Sequence, residues 1–230
     1  MCTRLLQLTI TDQCFIKMKK YLAEFIGTFA LVFCGTGAVT INEITNGAVT
    51  NIGIAISFGL IVMAMIYSIG DISGAHMNPA VTIGFAINKS FKWKEVIPYI
   101  ISQAAGAFAA SYLLKFLFPA SVFLGSTLPL GESSQSFILE TVLTFFLMFV
   151  ILQVATGSKE QGMFAGLAIG SVVLLEAMFA GPVSGASMNP IRSLAPAIAS
   201  NHLEHLWIYL TAPIAGATIA VMVYRILKTK

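Results

Sequence analysis

Ser73-Gly74-Ala75-His76-Met77-Asn78-Pro79-Ala80 returns later in the chain as Ser184-Gly185-Ala186-Ser187-Met188-Asn189-Pro190-Ile191. Six of the eight positions are identical, and the two asparagines stand 111 residues apart, about half of a 230-residue chain. Asn followed by Pro is a helix-start signal: the asparagine side chain caps, and proline takes the first helical position, where no N–H is needed. Each copy follows a long apolar run and opens a short one. A helix so short cannot cross a bilayer, which takes about 20 residues. The pair therefore predicts two half-helices that meet inside a membrane and line a pore.

Composition points to the same solvent. The chain is 57% hydrophobic and 10% charged, with a mean hydropathy of +0.86. Soluble domains carry roughly 25% charged residues. A lipid bilayer is thus the expected surrounding partner. A net charge of +3 with no basic stripe gives no reason to expect nucleic acid. The cysteines, Cys2, Cys14 and Cys34, lie early in the chain without metal-like spacing, so neither a disulfide framework nor a metal is expected. Residues 1–17 are mixed in character, lack a signal-peptide core, and are expected to form an N-terminal tail outside the membrane.

From there the chain alternates long apolar segments with polar breaks. Six segments are long enough to span: residues 21–41, 52–69, 96–118, 136–156, 163–179 and 206–227. Two half-length pieces follow the motifs, at 79–87 and 190–199. The expected fold is all-α: six transmembrane helices and two re-entrant half-helices, in repeats over about 18–118 and 136–230. Glu24 and Thr28 recur as Glu140 and Thr144 at the starts of the two halves, four apart on one helix face. A repeat with three spans must insert upside-down relative to its partner, which is the inverted-repeat signature with a site near the midplane. Eleven of the thirteen Lys and Arg residues fall on one side of this topology, the exceptions being Lys115 and Arg192. That bias places both termini in the cytoplasm.

A half-helix that starts at mid-membrane presents unbonded N–H groups and about half a positive charge. Two such ends facing one another would repel cations and protons, while a neutral solute could turn an oxygen to the donors. Asn78 and Asn189 can each cap a helix and still aim an amide N–H at the lumen. A buried carboxylate such as Glu24 or Glu140 must be bonded, and the loops offer donors.

These features resemble the major intrinsic protein family, the aquaporins. The likeness rests on the two SGAxMNP motifs, on Arg192 after the second, and on the Glu-x-x-x-Thr opening of each half, and it covers nearly all of the chain from Met18 on. It implies a channel domain over 18–230, a homotetramer with one pore per subunit, and Glu24 and Glu140 bracing the re-entrant loops. The pore motifs become Asn78-Pro79-Ala80 and Asn189-Pro190-Ile191, where Ile191 replaces the usual Ala and is expected to shift the half-helix contact and adjust pore width. The narrow filter carries over to Phe58, Ala177, Ala186 and Arg192. Ala177 stands where water-selective members have His, which should widen the aperture for solutes such as glycerol. His76 becomes a candidate pore-lining residue. The stretch 180–190, with Ser193, Ala197 and the Tyr209-Leu210 pair, is similar to the nodulin-26-like branch. The implied function is passive passage of water and small neutral solutes in the cell membrane, with ions and protons excluded. The alternative is an ion-coupled secondary transporter using Glu24, Glu140 and Glu176. No nucleophile–base pair is visible, so no catalytic residue is assigned, and neither an enzyme nor a cofactor is expected.

Overall fold

The computed structural model describes residues 10–155 and 162–228. Eight helices organise them: α1 (Ile10–Ile44), α2 (Thr50–Ser73), α3 (Pro79–Ile87), α4 (Trp93–Leu117), α5 (Ser133–Ala155), α6 (Ala165–Ser184), α7 (Pro190–Ser200) and α8 (Leu206–Lys228). All but α3 and α7 are long and apolar enough to cross a membrane, the span within α1 being Lys17–Ile44. The chain is thus a multi-pass integral membrane protein, and the expected arrangement of six spans and two half spans is present.

The largest difference from the expected boundaries lies at the start of the first helix. α1 runs back to Ile10, so residues 10–17 are helical and not an irregular tail. Neither Gly nor Pro occurs before Gly27 to interrupt the helix. Residues 1–9 of that tail, the turn 156–161 with Lys159, and Lys230 lie outside the described residues.

The packing repeats as the sequence does. α1 lies along α4 as α5 lies along α8, and α2 crosses α6 at the centre. The half-helices bridge the repeats: α3 packs on α8 as well as on α4 of its own repeat, and α7 packs on α4 as well as on α8 of its own. Small residues permit these approaches, as expected in lipid, where close van der Waals contact drives helix association. A Cβ added at Gly106 would meet the backbone of Phe25, and one at Gly216 would meet the backbone of Thr141. Phe25 and Thr141 each follow a motif glutamate, so the two contacts are equivalents.

Basic residues finish the half-helices. Lys115 donates to the carbonyl of Ala199 near the end of α7 at 2.6 Å. Arg225 donates to the carbonyl of Ile87 at the end of α3. The last carbonyls of a helix lack internal partners and carry negative partial charge, so a cation there is stabilising. Lys115, an exception to the charge bias in the sequence, has this role.

Gly216→Ala is expected to destabilise the protein by about 1–3 kcal/mol through overpacking at the α5–α8 crossing. Loss of the monodisperse peak after heating in detergent, at a lower temperature than for the wild type, is the measurement.

Candidate functional site

The site begins with two loops whose backbone is strained. Residues 74–78 leave α2 through left-handed conformations at Gly74 (φ 88°), Ala75 (φ 48°) and Met77 (φ 50°). Residues 185–189 repeat them at Gly185 (φ 86°), Ala186 (φ 42°) and Met188 (φ 52°). A non-glycine residue held there costs of order 1–3 kcal/mol and persists only where its surroundings enforce it. Glu24 and Glu140 supply that enforcement. Glu24 Oε1 accepts from Ser73 Oγ at 2.8 Å and His76 N at 2.9 Å, and Oε2 accepts from Met77 N at 2.7 Å. Glu140 Oε1 accepts from Ser184 Oγ at 2.7 Å and Ser187 N at 2.9 Å, and Oε2 accepts from Met188 N at 2.8 Å. Both glutamates are 0% exposed. Carboxylates accepting backbone N–H bonds form strong, charge-assisted contacts.

The loops deliver the asparagines to their caps. Asn78 and Asn189 are extended, with φ of −156° and −148°. Asn78 Oδ1 accepts from Ala80 N at 2.8 Å, and Asn189 Oδ1 accepts from Ile191 N at 3.1 Å and Arg192 N at 3.3 Å. Pro79 and Pro190 stand at the first helical positions. The amide nitrogens cross over: Asn78 Nδ2 donates to Met188 O at 2.7 Å, and Asn189 Nδ2 donates to Met77 O at 2.8 Å. The two half-helix tips are therefore bonded to each other. Each amide carries two hydrogens, so one remains for the cavity that both asparagines line. The expectation that each asparagine caps and also faces the lumen fits this arrangement.

That cavity holds about 780 Å³, and a smaller one of about 430 Å³ lies beyond it. Phe58 and Arg192 are the two residues common to both walls; Ala186 lines the larger cavity and Ala177 the smaller. Of the four residues expected at the filter, Phe58 and Arg192 thus border both cavities, with Ala186 in the wall of one and Ala177 in the wall of the other. Arg192 Cζ lies 4.8 Å from the centre of the Phe58 ring, a cation–π contact. Its guanidinium donates to Gly125 O at 2.8 Å. Phe58 is 7% exposed and does not face lipid. Leu31, Val62, Ile169 and Val173 make much of the larger cavity's wall apolar.

Other expected residues have mixed outcomes. Ile191 lines neither cavity; it packs with Val32, Ala107, Ala110 and Ala195, so its extra carbons fill a helix contact and do not reach the lumen. Ala80 is likewise buried behind the asparagine. His76 borders the larger cavity, but its ring packs against Phe85, Phe91 and Tyr99 at 4.8, 4.8 and 5.1 Å, and Nδ1 lies 3.1 Å from Thr82 Oγ1. Its polar reach is directed into protein as much as into the lumen. Glu176 is buried in α6 and lines neither cavity, and its Oε2 meets no partner among the described residues.

Two bonded residues escaped sequence reasoning. Gln103 donates to Glu24 at 2.8 Å and to Thr82 at 3.0 Å. Thr127 donates to Ser193 at 2.8 Å, tying the loop between the repeats to α7. A glutamine inside an otherwise apolar span was the available signal for the first. The second had none, since loop residues carry no periodicity.

The family profile described as Major intrinsic protein matches residues 11–224. The chain belongs to the major intrinsic protein family. It is 46% identical over 215 residues to Aquaporin NIP1-4 of Oryza sativa subsp. japonica, covering 93% of this chain and 78% of that one. It is 49% identical over 210 residues to Aquaporin NIP6-1 of Arabidopsis thaliana, covering 91% of this chain and 69% of the relative. These matches place it on the nodulin-26-like branch. Among solved structures, the aquaglyceroporin from Plasmodium falciparum superposes with a TM-score of 0.79 at 28% identity, covering 90% of this chain and 95% of the other.

Glu140→Ala leaves the N–H groups of Ser187 and Met188 buried without an acceptor, at roughly 1–3 kcal/mol each. The variant is expected to unfold at markedly lower temperature in detergent than the wild type, whereas Glu140→Gln, which keeps a carbonyl acceptor, should lose less.

Proposed function

We propose that this protein is a passive channel for water and small uncharged solutes such as glycerol, and that it excludes ions and protons. The observation that carries the reading is the pair of capped tips, bonded across to one another, each with an amide hydrogen left over at a cavity wall. A solute oxygen at that point meets donors from both sides and the positive ends of two helices. A water held by its oxygen there turns both of its hydrogens outward, which breaks a chain of proton hops. Arg192 adds a fixed positive charge at the narrow partition and repels cations a second time. The apolar wall opposite suits the carbon side of a polyol, and the two alanines, Ala177 and Ala186, leave room for it.

The names of the relatives agree: plant aquaporins by sequence and an aquaglyceroporin by fold. Ion-coupled transport would need carboxylates free to take up a cation. Glu24 and Glu140 are instead committed to loop donors, and Glu176, the third carboxylate of that reading, lines neither cavity. The channel reading extends to a homotetramer in the cell membrane, each subunit with its own pore. Both termini then lie in the cytoplasm, on the side where Lys17, Lys19, Lys20, Lys89, Lys92, Lys94, Arg225 and Lys228 gather.

Stopped-flow light scattering on proteoliposomes tests this directly. An osmotic step should give fast shrinkage, and a glycerol gradient should give shrinkage followed by re-swelling, both independent of ion gradients. Shrinkage without glycerol entry would refute the broad aperture, and flux that requires a proton or sodium gradient would refute the channel. Ala177→His is expected to lower glycerol flux more than water flux; equal losses would remove Ala177 from the aperture.

A further inference from the structure

Glu43 stands near the end of α1, in the wall of the smaller cavity, and belongs to neither motif. Its carboxylate receives the segment that joins the two repeats. Oε2 accepts from Ser121 Oγ at 2.7 Å, and Oε1 accepts from Val122 N at 2.8 Å and Phe123 N at 3.3 Å. Ser121 Oγ in turn accepts from Leu124 N at 3.0 Å. The chain then turns through left-handed backbone at Leu124 (φ 49°) and Gly125 (φ 70°). Only glycine fits the second position, because a Cβ there would come within 2.7 Å of Thr36 Cβ on α1. The carbonyl of this same Gly125 takes the guanidinium of Arg192 at 2.8 Å.

Arg192 has few other constraints. Its plane lies over Phe58, and its Nε meets no partner among the described residues. A guanidinium offers five donors, so one that is held by a single carbonyl can pivot when that carbonyl retreats. On the far side of Gly125 the loop is fixed to α7, through Thr127 to Ser193 at 2.8 Å and Ser126 to Ser200 at 2.9 Å. The loop is therefore strung between α1 and α7, and Glu43 is its attachment to α1.

We infer that Glu43 is a positioning residue for the constriction: it anchors the connecting loop so that the Gly125 carbonyl keeps Arg192 against Phe58, and thereby limits the width of solute that passes. The inference rests on the reading of Phe58 and Arg192 as the constriction. Charge-assisted bonds to three donors are strong enough to hold a loop, while the anchors on α7 keep the fold when Glu43 is removed.

The test uses the full chain in proteoliposomes, with water and erythritol permeabilities read by stopped-flow light scattering. Glu43→Ala should raise the erythritol-to-water ratio about threefold, the change that a fraction of one hydrogen bond's free energy produces. Glu43→Gln should hold the ratio near the wild-type value, because its amide oxygen still accepts from the two backbone N–H groups and its NH2 group can donate to Ser121. Ser121→Ala removes one of the three bonds to Glu43, together with the bond from Leu124 N, and should shift the ratio in the same direction by less. It also decides the matter if Glu43→Ala fails to assemble: an unchanged ratio in Ser121→Ala then overturns the proposal. Equal loss of both permeabilities in Glu43→Ala, with the ratio unchanged, is a stability effect and overturns it as well. So does a Glu43→Gln ratio equal to that of the alanine variant, which would assign the effect to charge. Arg192→Ala separates the two levels: a ratio that moves there but not in Glu43→Ala removes the anchor alone, and a ratio that moves in neither removes the constriction.

Discussion

Backbone that leaves a helix inside a bilayer has no water to bond to, and each unbonded amide there costs several kcal/mol. This protein leaves the helix twice, at residues 74–78 and 185–189. Glu24 and Glu140 make both departures tolerable by taking the amides of His76 and Met77, and of Ser187 and Met188. Everything at the centre of the molecule follows from those bonds. They hold the left-handed residues, which set the direction of each loop, which brings each asparagine to its cap and to its opposite number.

The arrangement separates two tasks. In the proposed channel the paired asparagines and the half-helix ends would act on charge and orientation, because they present fixed donors at the cavity wall. Phe58, Ala177, Ala186 and Arg192 would act on width, since Phe58 and Arg192 line both cavities and the two alanines line one each. Width is the more adjustable of the two. It depends on side-chain volume and on a loop carbonyl, whereas the caps depend on backbone geometry fixed from both sides.

Much of this was legible in the sequence because it is repeated. Asn78-Pro79 and Asn189-Pro190 declared both half-helices, and the half-helix α3 begins and ends where the sequence placed it. Glu24 and Glu140 were found because each opens a repeat. What was lost lacked periodicity or was read with the wrong surroundings. The start of α1 lies outside the expected span because residues 10–17 are mixed in character, and mixed character says nothing against a helix in water. For Ile191 the expected effect on the half-helix contact has a place in the structure, while the effect on pore width does not, because the helical turn directs it to α1 and α4. Lys115 was counted as a stray charge. Its distance of 110 residues from Arg225, nearly that between the asparagines, was the overlooked sign that the two have matching roles.

The bridging of the repeats by half-helices bears on how the chain is made. Since α3 rests on α8 and α7 on α4, neither repeat can complete its own interior. As translation proceeds, α3 emerges long before the surface of α8 that will cover it, and must wait at the membrane with one flank bare until α8 has been synthesised. The 23-residue helix α8 is thus made long after the half-helix it helps to pack.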